Sequence, residues 1–299
     1  MVSDILRGKE LLQSQLEEIS NRPKKAKAAK SVQPDKAAAR TYNSTLQKLV
    51  KAIRKDIDEQ LIPMIKALEP QYVGDSAVYD GWAADISALF ERLTAKWSSP
   101  EFFGAAKGVA SAFVNAIGRN NRSRFAKSVK SVGIDVFGDS PNLENILDAS
   151  VAENTRLIKS IPSQYLGQVE QLVTTNMKAG LRPSAIVSQL QERFGVTRQR
   201  ATMIARDQTS KANGELSKQR QEDAGFEFFR WLDADDSRVR HRHEAISNAD
   251  VGYGKGVYKW SDPPKNDKGQ PIIPGQEINC RCVAQPVTSR QVAESKKNG

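Results

Sequence analysis

Apolar residues recur every three or four positions through most of the first 225 residues, the spacing of one face of an α-helix. Ile5, Leu12, Leu16 and Ile19 predict a first helix, with Ser3 or Asp4 as its cap and Pro23 as its end. Leu46, Leu49, Ile53 and Ile57 predict a second, reaching about Leu61, after which Pro63 and Pro70 bracket a short piece. The run G-D-S-A-V-Y-D-G-W reads as a loop entering a helix whose buried stripe is Ile86, Leu89, Phe90, Leu93 and Trp97. Ser99 and Pro100 start the next helix, which turns Phe102, Phe103, Ala106, Val109, Ala110, Phe113 and Ile117 inward. Asn120, Asn121 and Gly133 mark turns, and V-G-I-D-V-F-G is the best strand or loop candidate in this half.

A domain boundary is expected between Gly138 and Pro141. Beyond it Leu143, Leu147, Val151 and Ile158 form one stripe. Pro162 is expected to open a new helix carrying Leu166, Val169, Val173 and Met177, with Gly180 as its C-cap. Pro183 starts a third, with Ile186, Val187, Leu190 and Phe194, which Gly195 ends; Thr197 then caps a fourth that runs to Gly225. Asp207 and Lys211 stand four apart on it, acid before base.

There the period changes. F-E-F-F-R-W-L, V-Y-K-W at 257–260 and R-C-V-A-Q-P-V at 281–287 are short and rich in aromatic and β-branched residues, and Gly, Pro, Asn and Asp fill the loops between them. The fold class is therefore α+β: a mainly helical N-terminal part, then a helix-rich domain ending in a small antiparallel sheet. The expected domains are 1–140, basic and helical, 141–287, and a loose tail at 288–299.

Charge sharpens this picture. The net charge is +10, and from Arg22 to Lys55 eleven Lys or Arg stand against one acid, Asp35. Phe102 to Ile134 holds six basic residues and no acid. Such a balance favours an anionic partner, and Lys24, Lys25, Lys27, Lys30, Arg119, Arg122 and Arg124 are the candidates for contact with double-stranded DNA. A solvated helix face or linker explains the same run without DNA. No apolar run approaches the roughly 20 residues a membrane span needs. The N-terminus turns charged at once, so synthesis in the cytoplasm is expected.

Both histidines and both cysteines fall in two short stretches, W-L-D-A-D-D-S-R-V-R-H-R-H at 231–243 and N-C-R-C at 279–282. If Ser237 to Arg240 is extended, Arg238 and Arg240 share a face, and Asp233, Asp235 and Asp236 are near enough to pair with them. A solvated turn and a buried Arg–Asp lock are both compatible with that spacing. His241, His243, Cys280 and Cys282 would close a tetrahedral zinc site if each i, i+2 pair projects from neighbouring strands. The favoured reading has no cofactor: the cysteines pack as small residues and His243 is hydrogen-bonded into the Arg–Asp cluster. A C-x-C disulfide would be strained. No nucleophile turn surrounds the thiols, so no catalytic residue is assigned; a metal-dependent nuclease built on His241, His243 and Asp236 is the enzymatic alternative.

Six runs and three single residues, in order, carry a family resemblance: L-I-K-S-I-P at 157–162, A-T-M-I-A-R-D-Q at 201–208, then Asn213, Gly225 and Trp231, D-S-R-V-R-H-R-H at 236–243, W-S-D-P-P at 260–264, P-G-Q-E at 274–277 and N-C-R-C at 279–282. Together they span about residues 142–287. This half resembles the phage Mu F-like head morphogenesis family, minor head proteins of tailed bacteriophages. The resemblance implies a non-enzymatic virion component, made in the host cytoplasm and present in few copies inside the capsid near the portal. Its partners would be portal, capsid or scaffold proteins and DNA, with a role in procapsid assembly and in DNA packaging or ejection, and with neither a membrane nor a small-molecule substrate. It marks Arg206, Asn213, Trp231, Asp236, Arg238, Arg240, His243, Asn279, Cys280 and Cys282 as the structural motif. A stand-alone nucleic-acid-binding protein is the alternative that charge alone would support.

Overall fold

The structure is a computed structural model that describes residues 11–18, 27–67, 71–73, 76–78, 81–136 and 142–298. The first helix, α1, covers 11–18. Helix α2 (Lys36–Asp56) is capped by Asp35, whose Oδ1 accepts from Ala37 N at 2.9 Å and Ala38 N at 3.3 Å. It continues through a π-helical stretch (Ile57–Leu61) into α3 (Ile62–Ala67). Ile62 N donates five residues back, to Ile57 O, one position before Pro63, which has no N–H to give. Strands β1 (Gln71–Val73) and β2 (Ser76–Val78) pair antiparallel where the sequence reads as a loop. Then come α4 (Trp82–Trp97) and α5 (Pro100–Lys130), the latter opened by Ser99, whose Oγ accepts from Phe102 N at 3.2 Å.

Four helices were expected over 143–225 and two are found, α6 (Leu143–Lys178) and α7 (Pro183–Asp223). Pro162 lies inside α6, where buried Ile158, Ile161, Tyr165 and Leu166 hold the helix together across the missing donor. Gly195 keeps a helical backbone inside α7, and Thr197 Oγ1 donates back to Arg193 O at 3.2 Å instead of capping. Nothing lies within 4 Å of a Cβ placed on Gly195. Gly195→Ala is therefore expected to stabilise the chain by about 0.5–1 kcal/mol, read as a higher thermal midpoint, because alanine costs less backbone entropy in a helix.

Gly133, Gly180 and Gly225 do end helices, each with positive φ. In each case the following amide bonds the carbonyl five residues back, as in Ile134 N to Val129 O at 3.1 Å, Leu181 N to Asn176 O at 2.9 Å and Phe226 N to Gln221 O at 2.9 Å. Val132 to Val136 forms a turn and loop, not a strand, and the rest of that run, with the expected boundary at 138–141, lies outside the described residues. Asn121 marks no turn: it is buried within α5.

The three predicted strands form. β3 (Phe228–Leu232) lies between β4 (Val257–Lys259) and β5 (Val283–Val287), all antiparallel. Pro286 is tolerated because β5 is an edge. The period-two alternation of β3 divides its aromatics. Phe229 and Trp231 join Tyr258, Trp260, Cys280, Cys282 and Ala284 in one cluster. Phe228 joins Val257, Val287 and Val292 in another. Val292 belongs to α9 (Ser289–Asn298), so the expected loose tail is a helix packed on the sheet. Thr288 and Gln291 cap it reciprocally: Gln291 Oε1 accepts from Thr288 N at 2.9 Å, and Thr288 Oγ1 from Gln291 N at 3.3 Å.

Contacts divide the chain into two compact units. One comprises Ala39–Phe113 and Val151–Ala205. In it Tyr42 stacks on Phe113 with centroids 4.0 Å apart and donates to Asn154 Oδ1 at 2.9 Å. Buried Asp56 accepts from Lys96 Nζ at 2.7 Å and from Trp97 Nε1 at 2.8 Å. The other comprises Met1–Ala38, Val114–Ser150 and Arg206–Gly299, and it holds the three-stranded sheet. Residues 27–35 have no regular secondary structure and are fixed within it by their carbonyls. Gln285 Nε2 donates to Ala29 O at 2.8 Å, Ser128 Oγ to Lys30 O at 2.5 Å, Asn213 Nδ2 to Val32 O at 2.9 Å and Arg124 Nη1 to Gln33 O at 3.2 Å.

Candidate functional site

The site is built where α7, α8 (His241–Asn248), the ends of β3 and β5 and the loop before β5 meet in the sheet-bearing unit. The loop is set against α7 by its backbone. Asn279 takes a left-handed conformation, φ 59°, which asparagine tolerates better than most residues. Its N–H donates to Asp207 Oδ1 at 2.8 Å, and its Oδ1 accepts from Arg206 Nη2. Gln208, one residue on, is buried, so the carboxylate that the loop needs is that of Asp207. Held this way, the turn delivers Cys280 and Cys282 to the buried face of the sheet, at 3% and 4% exposure.

Both sulfurs meet His243, which is 2% exposed. Cys280 Sγ lies 3.6 Å and Cys282 Sγ 3.5 Å from His243 Nδ1. The other ring nitrogen, Nε2, is 2.6 Å from Glu277 Oε2. Glu277 in turn accepts from Arg242 Nη2 at 2.7 and 2.6 Å, and Arg242 also bonds Asp267. Trp231 packs edge-on against the imidazole, centroids 5.4 Å apart. Gly275 N donates to Cys280 Sγ at 3.4 Å.

These contacts set the protonation order. The Cys280 thiol is held well below the usual thiol range because Cys282 donates to it, with His243 alongside. Cys282 is pushed up by its place beside Cys280 and by burial. Burial works against a charged His243, but Cys280 and Glu277 outweigh it and raise its pKa. For Glu277, burial is likewise outweighed, by His243 and Arg242, and its pKa falls.

The expected Arg–Asp lock is rearranged. Ser237 to Arg240 is a turn, closed by Val239 N to Asp236 O at 3.0 Å, so Arg238 and Arg240 share no strand face. Asp236 pairs chiefly with Arg281: Arg281 Nη2 donates to Asp236 Oδ1 at 2.6 Å and Nη1 bonds Oδ2. Asp236 also accepts from the backbone N of Arg238 at 3.0 Å. Arg281 holds the Asp236 carboxyl far below the usual carboxylate range. The Arg238 side chain is 75% exposed but still donates to Asp236 Oδ2 at 3.2 Å, so the expected Arg238–Asp236 pair forms, at the surface. Arg240 turns instead to the Ile278 carbonyl and lies 3.8 Å from Glu277. His243 makes no contact with Asp236 in this arrangement; its partners are Glu277 and the cysteines.

The four-ligand set does not assemble. Residues 241–248 are helical, so positions 241 and 243 diverge by about 200° at the helical pitch instead of sharing a face. His241 is fully exposed and lines an open cleft of about 910 Å³ with Asp235 and Glu244. Two residues of the site lie within motifs that carry the resemblance but were assigned no role from sequence. Glu277 sits inside P-G-Q-E, and Arg281 is the only cation between the cysteines. Asn213 lies away from the thiols, in a buried network. Its Oδ1 accepts from Asn121 Nδ2 at 3.0 Å, Asn121 also donates to Ser217 Oγ at 2.9 Å, and Arg220 Nε donates to Asn121 Oδ1 at 3.0 Å.

Of the basic candidates, Lys24 and Lys25 lie outside the described residues. Lys27, Lys30, Arg119, Arg122 and Arg124 are exposed. The bond from Arg124 to Gln33 and the bond from Ser128 to Lys30 put the segment at 27–35 and this part of α5 on one surface. Among the described residues no helix is long and apolar enough to cross a membrane.

Residues 167–285 match the family model described as Phage Mu protein F like protein, which bears out the resemblance drawn from the motifs. A protein of Haemophilus influenzae (strain ATCC 51907 / DSM 11121 / KW20 / Rd), described as an uncharacterized protein, is 29% identical over 275 residues, which is 90% of this chain and 57% of that relative. The chain thus spans little more than half the length of that relative. No solved structure matches the chain.

Proposed function

We propose, from the premise that residues 167–285 form a phage Mu F-like head morphogenesis segment, that the chain is a minor capsid component of a tailed phage. In this reading it enters the procapsid in few copies near the portal, aids assembly and DNA packaging or ejection, and touches double-stranded DNA. The family match carries the reading. The site supports it, because its charged groups are paired: Asp207 and Arg240 hold the backbone of the turn at 278–279, Arg206 holds the Asn279 side chain, and Asp236 pairs with Arg281. In this reading the cluster serves as a lock for an assembly module.

Mass-spectrometric counting of purified procapsids and virions tests the proposal. A few copies per particle, retained with portal after particle disruption, are expected; absence from both particles overturns it. The DNA contact is tested separately by duplex binding across a salt series. Exposed Lys27, Lys30, Arg119, Arg122 and Arg124 predict an affinity that falls steeply as salt rises, each neutralised phosphate adding about 0.9 to the log–log slope. Replacing those five by Ala is expected to flatten the slope by roughly four. A flat wild-type response would remove DNA from the partner set.

A further inference from the structure

We propose that His243 Nδ1 and the sulfurs of Cys280 and Cys282 hold one zinc ion, with Glu277 fixing the imidazole through its other nitrogen. The three donor atoms lie within 4.8 Å of one another, and all three residues are buried. A tetrahedral zinc with Zn–S of about 2.3 Å and Zn–N of about 2.0–2.1 Å places each sulfur about 3.6 Å from the nitrogen. The distances found are 3.6 and 3.5 Å. Both nitrogen–sulfur edges therefore match those of a zinc tetrahedron, and the sulfur–sulfur edge lies within 4.8 Å.

The imidazole is also oriented as a ligand. With Nε2–H donating to Glu277, the lone pair of Nδ1 faces both sulfurs. A carboxylate holding the far nitrogen of a metal-bound histidine sets its tautomer and raises its basicity. Arg242 anchors that carboxylate with two bonds, which keeps the orientation rigid before metal arrives. Two thiolates and an imidazole select a soft or borderline ion, which favours zinc over magnesium or calcium. A cavity of about 80 Å³, lined by the three ligands, by Ala234, Val239 and Asn279 and by the arginines at 238, 240 and 281, leaves room for water at the fourth position.

The inference does not depend on the role in the head. It gives the site a mechanical job. The ion would join α8 to both ends of the C-x-C turn, and its binding free energy would add to folding.

The test uses the full chain without a histidine tag, purified with no chelator. Elemental mass spectrometry is expected to find about one zinc per chain. After metal removal, Co(II) is expected to give thiolate-to-cobalt charge-transfer bands and the intense d–d bands of tetrahedral coordination, both lost when zinc is added. Cys280→Ser and Cys282→Ser should each weaken the charge transfer, and Glu277→Gln should keep the stoichiometry while weakening affinity about 10–100-fold. His241→Ala should bind as the parent does. Under half an equivalent of zinc, together with no cobalt bands from a stripped chain of native circular dichroism, overturns the proposal. So does loss of binding in His241→Ala, or a mass lower by two hydrogens showing a Cys280–Cys282 disulfide in place of metal. If the cysteine variants do not fold, the cobalt spectrum of the parent chain decides alone.

Discussion

Gly214→Ala is expected to destabilise the chain by roughly 2–3 kcal/mol and to lower its thermal midpoint by roughly 5–10 °C. A Cβ on Gly214 would stand 2.3 Å from the Pro274 carbonyl oxygen and 3.5 Å from its carbon. The neighbour is backbone, so no side chain can swing away. The approach is reciprocal one turn earlier on α7, where a Cβ on Gly275 would stand 2.7 Å from Ser210 O, and Gly275 has φ 91°. Nor can the loop lift freely, because Asn279 is tied to Asp207 and Arg206 and Gly275 N to Cys280. Overpacking on this scale typically costs 1–3 kcal/mol and sometimes more, and the better helix propensity of alanine returns only about 1. The informative control is Gly195→Ala in the same helix, for which the opposite sign is expected. Thermal melts of both variants check the pair. An unchanged or raised midpoint for Gly214→Ala would mean that the loop does not lie on α7 as described. If zinc is bound, Gly214→Ala should also weaken it, since the displaced loop carries two of the three ligands.

What the sequence made legible, and what it hid, follow from the range of the interactions concerned. The aromatic strand from Phe228 to Leu232, its two partners and the glycines that end helices at 180 and 225 were readable, because each signal is local. Pro162 was misread as a helix start and Gly195 as a helix end, because a breaker residue marks a boundary only when nothing else holds the helix. Buried Ile158, Ile161, Tyr165 and Leu166 carry α6 past Pro162, and buried Leu190, Thr197 and Ala201 lie to either side of Gly195, although Val196 beside it is exposed. Thr288 and Gln291 were a readable capping box that the composition of the tail obscured. At the site, gathering both histidines and both cysteines into two stretches predicted correctly that the stretches meet. It mistook the period: a strand would have aimed His241 and His243 alike, whereas α8 sends His241 to solvent. Glu277 could not be found by spacing, since the bond to His243 crosses 34 residues. The same holds for residues 27–35, whose charge suggested a linker while their carbonyls are bonded by residues from α5, α7 and β5.

That last feature yields the second large effect. Asn213→Leu is expected to cost about 2–4 kcal/mol and to release the segment that carries Lys27 and Lys30. Asn213 is 3% exposed and uses both ends of its amide, donating to Val32 O at 2.9 Å and accepting from Asn121 Nδ2 at 3.0 Å. Leucine fills a similar volume but leaves the Val32 carbonyl without this donor, and it leaves one Asn121 N–H only the longer bond to the backbone carbonyl of residue 213, at 3.4 Å. Each such buried loss costs about 1–3 kcal/mol, and the better helix propensity of leucine offsets about half a unit of it. Asn121 keeps Ser217 and Arg220, so the damage should concentrate on the segment at 27–35 and not on the α5–α7 pairing. Two readouts separate these outcomes. Trypsin should cleave after Lys27 and Lys30 faster in the variant, and amide exchange should rise over 29–35 while α5 and α7 stay protected. Uniform loss of protection across the unit would show instead that Asn213 holds the helix pair. Unchanged cleavage together with an unchanged melting point would show that the Val32 bond contributes nothing. The outcome bears on DNA as well: Lys27 and Lys30 can act as a fixed part of a basic surface with Arg124 only while their backbone is held against α5. Freeing it should weaken duplex binding without changing the net charge.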